Sequence, residues 1–131
     1  MCEGCFKLKK INLPGNLSSI PYNCFYGCES LAEVIISEGI SEIDSYAFNN
    51  CINLENIIFP SSLYKIDYGA FSSCANLKYI TLLGETPPII NVDTFWNCPL
   101  TKITVPIGTS EYYKSSTNWA DFADIIEEVA E

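Results

Sequence analysis

Hydrophobic residues return at the same positions every 23 residues along this chain. Three such columns follow one another in each unit: Leu8, Leu31, Leu54, Leu77 and Leu100; Ile11, Val34, Ile57, Ile80 and Ile103; Leu13, Ile36, Phe59, Leu82 and Val105. A fixed period of this length is typical of a repeat protein. One unit is too short to bury its own apolar face, so we predict a solenoid in which stacked units share a continuous core.

Each unit predicts a short strand, a turn and a second apolar side. The segment Leu-x-x-Ile-x-Ile ends in strict alternation, which indicates a strand with one buried face. A proline or glycine then turns the chain in every unit: Pro14, Gly39, Pro60, Gly84 and Pro106. The second side has its own columns, and the unit closes on phenylalanine and cysteine: Leu17, Ile40 and Leu63; Ile20, Ile43, Ile66 and Ile90; Phe25, Phe48, Phe71 and Phe95; Cys5, Cys28, Cys51, Cys74 and Cys98.

Stacking turns each column into a ladder of similar side chains, because parallel strands lie about 4.8 Å apart. The phenylalanine ladder predicts ring stacking worth about 0.5–1.5 kcal/mol per pair beyond burial. The cysteine ladder brings Cα atoms within disulfide range, but equivalent thiols give no reason for any particular two to pair. Because cysteine packs as a small hydrophobe, we expect buried thiols, with disulfides as the alternative.

The whole unit resembles the BspA-like leucine-rich repeat of microbial cell-surface proteins. It reads Cys-x-x-Leu-x-x-Ile-x-Ile-Pro-x-x-Leu-x-x-Ile-x-x-x-Ala-Phe-x-x-Cys, and the resemblance covers nearly the whole chain, including the ending at residues 86–88, 105–109 and 119–122. The resemblance implies a leucine-rich-repeat solenoid with short parallel strands. It also implies an extracellular or cell-surface location and contacts with host or neighbouring-cell proteins.

Charge and length narrow the functional classes. The 131 residues, one domain's worth of sequence, include 16 acidic residues against 7 lysines, for a formal net charge of −9. Nucleic-acid binding needs cations clustered on one face, and the only local cluster is Lys7, Lys9 and Lys10. No apolar stretch approaches membrane-spanning length. We therefore expect neither nucleic-acid binding nor membrane insertion.

Asp44 and Asp67 are the sharpest candidates for chemistry, since they occupy one position in adjacent units. Carboxyl groups about 5 Å apart would suit a retaining glycosidase. Aspartate also favours turns, Asn91 shares the column, and a turn offers no cleft, so we expect a structural role and no enzyme. The pair Cys2 and Cys5 has no matching second pair and no histidine beside it. We expect no metal ion and no cofactor.

Two columns of the predicted strands point outward: Lys10, Glu33, Asn56, Tyr79 and Lys102; Asn12, Ile35, Ile58, Thr81 and Thr104. Ile35 and Ile58 would lie side by side in solvent, next to Tyr79 and Thr81. A contiguous exposed apolar patch often marks a binding surface, although β-branched residues also favour strands for their own sake, and another part of a longer protein could cover them. The candidate binding residues are Ile35, Ile58, Tyr79, Thr81, Glu33 and Asn56.

From Gly108 onward the chain leaves the repeat. Thr109 or Ser110 can cap a short helix through Lys114, and Asn118 can cap a second one. The second helix would carry an apolar stripe and an acidic face: Trp119, Phe122, Ile125 and Ile126; Asp121, Asp124, Glu127 and Glu128. We predict a solenoid of about four and a half repeats over residues 1–107 and a C-terminal helical cap over residues 108–131.

The chain begins within a repeat unit, which predicts the C-terminal portion of a longer solenoid with an upstream export signal; an intact protein with an atypical first repeat is the alternative. An uncapped first rung also predicts end-to-end self-association. Two functions fit this architecture. One is a non-enzymatic, adhesin-like module that binds an extracellular or host protein, or a glycan. The other is a structural spacer that presents another domain at the cell surface.

Overall fold

Residues 5–130 are described in a computed structural model, and they form a solenoid of stacked two-sided rungs. Four-residue strands form one side, which we call the front: β1 Lys10–Leu13, β3 Glu33–Ile36, β5 Asn56–Phe59, β7 Tyr79–Leu82 and β9 Lys102–Val105. Two-residue strands form the back: β2 Ser19–Ile20, β4 Glu42–Ile43, β6 Lys65–Ile66 and β8 Ile89–Ile90. The predicted strands are confirmed, and the second apolar side of each unit is itself a short strand.

The 23-residue period sets the register between rungs. Ile57 lies opposite Ile80, and Ile80 opposite Ile103, in parallel pairs. The back strands form one continuous sheet in the order β2-β4-β6-β8, whereas the front strands are divided between a β1-β3 pair and a sheet that contains β5, β7 and β9. The solenoid is therefore continuous at the back and interrupted at the front, between β3 and β5.

The phenylalanine column forms the predicted ladder at the centre of the core. Centroid separations are 5.3 Å for Phe25–Phe48, 5.1 Å for Phe48–Phe71 and 5.7 Å for Phe71–Phe95. The ring planes are inclined by only 10° to 18°, so this is stacking rather than an edge-to-face arrangement. Stacking of these buried rings ties each rung to the next.

The cysteine column links the rungs without disulfides between Cys51, Cys74 and Cys98. Each thiol donates to a phenylalanine carbonyl oxygen of the preceding rung. The Sγ–O distances are 3.3 Å for Cys51 to Phe25, 3.1 Å for Cys74 to Phe48 and 2.9 Å for Cys98 to Phe71. Burial raises the pKa of Cys51 to about 12. These three cysteines are thiols, as expected, and each adds a hydrogen bond to its packing role. Cys2 lies outside the described residues.

The first helix of the C-terminal segment is confirmed, as α1 Ser110–Ser115. Thr109 stands at its N-cap position, but the Thr109 hydroxyl donates to the Pro106 carbonyl at 2.7 Å and does not cap the helix. The Ser110 amide donates instead to a Glu128 carboxylate oxygen at 3.1 Å. The cap is therefore supplied from the end of the chain rather than by the residue before the helix.

The second predicted helix forms as a 3-10 helix, and it ends before Ile126. Residues Ala120–Ile125 form a 3-10 helix, and Ile126–Glu128 form a strand, β10, that pairs in parallel with β9. Asn118 does not cap the 3-10 helix. Its backbone has φ 69°, and its side-chain amide nitrogen donates to the Ile90 carbonyl at 2.8 Å. The edge of β9 presents unpaired backbone groups, and strand formation by the β-branched Ile126 satisfies them. The last segment is thus a cap that also extends the front sheet.

Trp119 is the anchor of this cap. Its side chain is 1% exposed and its Nε1 donates to the Pro88 carbonyl at 2.7 Å. Its ring packs against Phe95 at 6.1 Å and against Tyr113 at 5.7 Å between centroids. The Tyr113 hydroxyl donates to the Gly84 carbonyl at 2.7 Å. These contacts close the C-terminal end of the core.

Candidate functional site

The six candidate binding residues lie on the outer side of three consecutive front strands. Ile35 on β3 is 44% exposed, Ile58 on β5 is 52% exposed and Tyr79 on β7 is 48% exposed. The other three occupy neighbouring outward positions on the same strands: Glu33, Asn56 and the half-buried Thr81. Alternation along each strand produces this arrangement, because the residues between them are buried in the core.

Four of the six line a single cleft between β3 and β5. Its volume is about 330 Å³, and its lining consists of Glu33, Val34, Ile35, Ile36, Asn56 and Ile58. The exposed isoleucines are on opposite strands at this cleft, and the neighbouring aliphatic side chains make it mainly apolar. The candidate residues are therefore gathered around a concave feature and not only spread along a flat sheet.

The cleft coincides with the interruption of the front sheet. No backbone hydrogen bond joins Glu33–Ile36 to Asn56–Phe59, two segments that lie wholly within the described chain. In the β1–β3 and β5–β7 pairs, the backbone amide of the residue after the second strand donates a hydrogen bond to the neighbouring rung. The Ser37 amide donates to the Leu13 carbonyl and the Leu83 amide to the Phe59 carbonyl, at 3.1 Å each. Pro60 occupies that position here and has no N–H to donate. The strands keep some Cα atoms within 8 Å of each other, so the rungs remain stacked.

Side chains connect the second and third rungs just beyond the cleft. The Glu38 carboxylate accepts hydrogen bonds from the Ser61 amide at 2.8 Å, the Ser61 hydroxyl at 2.8 Å and the Ser62 amide at 3.1 Å. These bonds lower the pKa of Glu38, the Ser61 amide most strongly. The Ser62 hydroxyl donates to the Ile40 carbonyl at 2.8 Å. The interruption is thus confined to the strands and ends at this anchored turn.

An ion pair lies at each end of the front. Lys10 pairs with Glu33 at 3.2 Å, and Lys102 pairs with Glu127 at 3.0 Å. Both pairs are well exposed to solvent, so each adds little to stability. Between the two pairs, the uncharged side chains of Ile35, Ile58 and Tyr79 form a strip across the middle of the front.

Tyr79 and Thr81 extend this strip onto the next rung. The register places Tyr79 opposite Asn56 and Thr81 opposite Ile58. Neither residue lines the first cleft; Thr81 instead lines a second, smaller cleft of about 170 Å³ that also includes Leu83 and Val129. The structure therefore brings four candidates together at one cleft and places the other two beside it.

A second exposed patch, which the sequence analysis missed, lies at the turns that follow the back strands. Tyr22, Tyr68 and Trp96 are each more than half exposed there, and Tyr22 meets Tyr46 edge to face at a centroid separation of 6.2 Å. The available signal was the clustering of aromatic residues within a few positions of the phenylalanine column. Tyr22 and Tyr68 share a column with Ser45 between them, but Tyr46 and Trp96 fall in other columns, so a search by 23-residue register does not group all four.

Asp44 and Asp67 lie at the turns that directly follow the back strands β4 and β6. Asp67 accepts from the Tyr68 amide at 2.8 Å and the Asn91 side-chain amide at 3.3 Å, and it pairs with Lys65 at 3.5 Å. Desolvation, with the charges of Glu42 and Asp67, raises the pKa of Asp44. The left-handed residue of this turn is two positions further on, at Tyr46 and Gly69. Asp67 therefore acts through side-chain hydrogen bonds and a charge pair at its turn.

Within residues 5–130, no group of three or more histidines, cysteines, aspartates or glutamates is placed to hold a metal ion. In the same range, no helix has both the length and the apolar character needed to cross a bilayer.

Comparison with known proteins supports the repeat fold. The model of the BspA type leucine rich repeat region matches in 6 copies over residues 1–119. Among solved structures, the chain is similar to a leucine-rich repeat protein from Bacteroides ovatus ATCC 8483, with 25% sequence identity and a TM-score of 0.70. The match covers 96% of this chain and 31% of that protein, so this chain spans about a third of its length. No curated protein matches the chain.

Proposed function

The chain belongs to the BspA type leucine-rich repeat family, and from that premise we propose that it is a non-enzymatic module that binds a protein partner. In this proposal the partner is an extracellular or host protein, and the module acts in an adhesin-like way outside the cell. Binding is assigned to the strip on the front that runs from Glu33 and Ile35 across Asn56 and Ile58 to Tyr79 and Thr81.

One observation carries the proposal: two large aliphatic side chains, Ile35 and Ile58, are exposed on either side of an apolar cleft. Two adjacent isoleucine side chains that are exposed to water are unfavourable. Their burial under a partner contributes about 25 cal/mol for each Å² of apolar surface removed from water. Interfaces are typically dominated by a few residues of this kind at a desolvated centre with a polar rim. Glu33, Asn56 and Thr81 supply such a rim here.

The interrupted ladder gives the cleft a second recognition feature. Unpaired backbone N–H and C=O groups of β3 and β5 border it, and such groups form hydrogen bonds with an extended segment of a partner. An apolar side chain from that segment would enter between Ile35 and Ile58. This chemistry favours a protein partner over a neutral glycan, whose hydroxyl groups gain little from an apolar cleft.

The test compares binding by the chain and by an Ile35→Asp/Ile58→Asp variant to a panel of extracellular-matrix proteins and glycans, measured by biolayer interferometry. We expect at least tenfold weaker binding of a protein partner by the variant, which corresponds to about 1.4 kcal/mol. The matched control is Ile89→Asp/Val92→Asp, which places the same charges on two exposed aliphatic residues of the back. Circular dichroism checks that both variants are folded.

Other outcomes separate the remaining functions. Equal loss in both double variants would indicate a general effect of charge and would remove the assignment to the front strip. Binding that survives Ile35→Asp/Ile58→Asp but is lost on Tyr22→Ser/Tyr68→Ser would move the site to the aromatic patch at the turns. No binding by the unmodified chain to any member of the panel would favour the alternative function, a spacer that presents another domain at the cell surface.

A further inference from the structure

The aromatic patch at the turns after the back strands presents large rings on consecutive rungs. Tyr46 follows β4 and is 37% exposed, and Tyr68 follows β6 and is 54% exposed. Both β4 and β6 have a paired neighbour on each side in the back sheet, so the exposure of these two rings is a property of interior rungs. Trp96, on the next rung, is 62% exposed.

Tyr46 adopts a backbone conformation that suits other residue types better. Its φ is 60°, in the left-handed region. Asn23 and Gly69 stand in the same column, one rung before and one rung after, with φ of 58° and 57°. Asparagine and glycine enter this region readily, whereas a bulky residue is strained there. Backbone strain of this kind is often kept at functional sites, so the ring at this position calls for a functional reason.

The Tyr46 ring is fixed by both neighbouring rungs. A Cβ atom added to Gly69 would lie 2.4 Å from Tyr46 Cε1, so the ring occupies the space that this glycine leaves open. Toward the preceding rung the ring meets Tyr22 edge to face, with an interplanar angle of 81°. The Tyr46 amide also donates to the Tyr68 carbonyl at 3.0 Å. The patch is therefore preorganised, which reduces the entropy that it loses when it binds a partner.

The charges around these rings are mostly negative. The back strands and the turns that follow them, each counted to its column cysteine, carry four carboxylates and one ammonium group: Glu42, Asp44, Asp67 and Asp93, with Lys65. Lys65 pairs with Asp67 at 3.5 Å, and within residues 5–130 no lysine forms an ion pair with Asp44. Desolvation and the charges of Glu42 and Asp67 raise the pKa of Asp44. The surface beside the rings therefore has uncompensated negative charge.

Rings and carboxylates in one place attract the same kind of ligand. Asp44 and Tyr46 belong to one tight turn, which the Ala47 amide closes by donating to the Asp44 carbonyl at 3.3 Å. The face of an aromatic ring carries negative electrostatic potential and attracts a cation. A guanidinium group can stack on a ring and also donate to a carboxylate. A neutral sugar could stack on the rings as well, but the excess of carboxylates would not favour it.

We propose that the aromatic patch binds an arginine- or lysine-rich segment of a partner protein, with the cationic group against the rings of Tyr46 and Tyr68 and with Asp44 as its counter-charge. This is a second site, and it does not rest on the function proposed for the front strip. The front strip would select an apolar side chain, whereas the aromatic patch selects positive charge.

The test uses isothermal titration calorimetry of the full chain with a synthetic peptide of alternating arginine and glycine. The same peptide with glutamine in place of arginine should bind at least about tenfold more weakly. The variant Tyr46→Asn/Tyr68→Ser should weaken binding of the arginine peptide at least about tenfold. Both replacements should be accepted by the fold, because Asn23 and Ser45 stand in the same two columns. Asp44→Asn should weaken binding about threefold, and high salt should weaken it further.

Matched controls remove the same groups elsewhere. Tyr112→Ser takes an exposed tyrosine from α1, and Glu55→Gln takes an exposed carboxylate from the turn before β5; neither should change binding of the arginine peptide. Circular dichroism checks that every variant is folded.

Four results would overturn the proposal. The first is the absence of saturable binding of the arginine peptide, and the second is equal binding of the arginine and glutamine peptides. The third is binding that Asp44→Asn weakens but Tyr46→Asn/Tyr68→Ser does not, since that pattern belongs to charge without the rings. The fourth is displacement of the arginine peptide by maltohexaose, a neutral oligosaccharide, which would assign the patch to sugar recognition.

Discussion

Trp119 takes the position at the end of the solenoid where the next phenylalanine of the ladder would stand. Its ring follows Phe95 at a centroid separation of 6.1 Å, inclined by 50°. A tryptophan suits this last position because its larger ring covers more of the exposed core edge than a phenylalanine. Its indole N–H is buried and therefore needs an acceptor, which the Pro88 carbonyl supplies. One side chain thus closes the core and ties the C-terminal segment to the irregular chain before β8.

Replacing Trp119 by alanine should lower the free energy of unfolding by about 3–5 kcal/mol, because the change leaves a cavity and an unpaired carbonyl. Urea denaturation followed by circular dichroism measures this loss. The control is Trp96→Ala, which removes the same side chain from a site that is 62% exposed, and it should change stability by no more than about 0.5 kcal/mol. Equal losses in the two variants would contradict the assignment of Trp119 as the anchor of the cap.

At the scale of elements, the front strands and the last segment were unequally predictable. Alternation identified β3, β5 and β7 and the outward position of Ile35, Ile58 and Tyr79, because side-chain direction in a strand follows from sequence order alone. The apolar residues after Asn118 have helical spacing, but the pair Ile125-Ile126 is also compatible with a strand. A short apolar run of this kind can be buried by either structure. The exposed edge of β9 decided between them, and an edge is a property of the assembled sheet.

The interruption between β3 and β5 was likewise not predictable from the repeat columns, which are intact there. The sequence analysis interpreted Pro60 as a turn residue. Pro106 occupies the same position after β9, and yet β7 and β9 still pair over three residues. Proline therefore removes one hydrogen bond but does not by itself open a sheet. The Glu38 carboxylate, which takes the amides of Ser61 and Ser62, is the feature that distinguishes this junction from the other, where Glu38 has no counterpart.

The interruption predicts a local difference in amide hydrogen exchange. The amides of Asn56 and Ile58 point toward β3 and should exchange at least about tenfold faster than those of Tyr79 and Thr81, which occupy the same columns and are bonded to β5. Exchange followed by NMR makes this comparison residue by residue. Partner binding at the cleft should slow exchange at Asn56 and Ile58 selectively. Equal protection at all four amides would show that the front sheet is continuous in solution.

At the scale of the whole molecule, the fold follows from the period because every rung makes the same contacts with the next. The Phe25, Phe48, Phe71 and Phe95 ladder and the parallel register could be derived from spacing alone. The candidate binding surface could be derived only as columns of outward residues. The cleft, the ion pairs at the two ends of the front and the aromatic patch all depend on positions where neighbouring rungs differ. A repeat pattern describes only what the rungs share.

This regularity predicts that a whole rung can be removed. Deletion of residues 52–74 joins Cys51 to Ala75 and keeps every column in register, so the shortened chain should fold, with β3 beside β7. Stability in a repeat protein is approximately a sum over rungs and their interfaces. The melting temperature should therefore fall, and the urea m-value should fall by roughly a sixth, in proportion to the surface buried on folding.

A deletion shorter by one residue is the decisive comparison. Removal of residues 52–73 takes out almost the same mass but shifts every later column by one position, which turns the buried positions of the next strand outward. This chain should lose cooperative unfolding or precipitate, whereas the 23-residue deletion should unfold in a single transition. If both deletions unfold alike, the register is not what stabilises the solenoid, and the cap around Trp119 would have to hold the fold largely by itself.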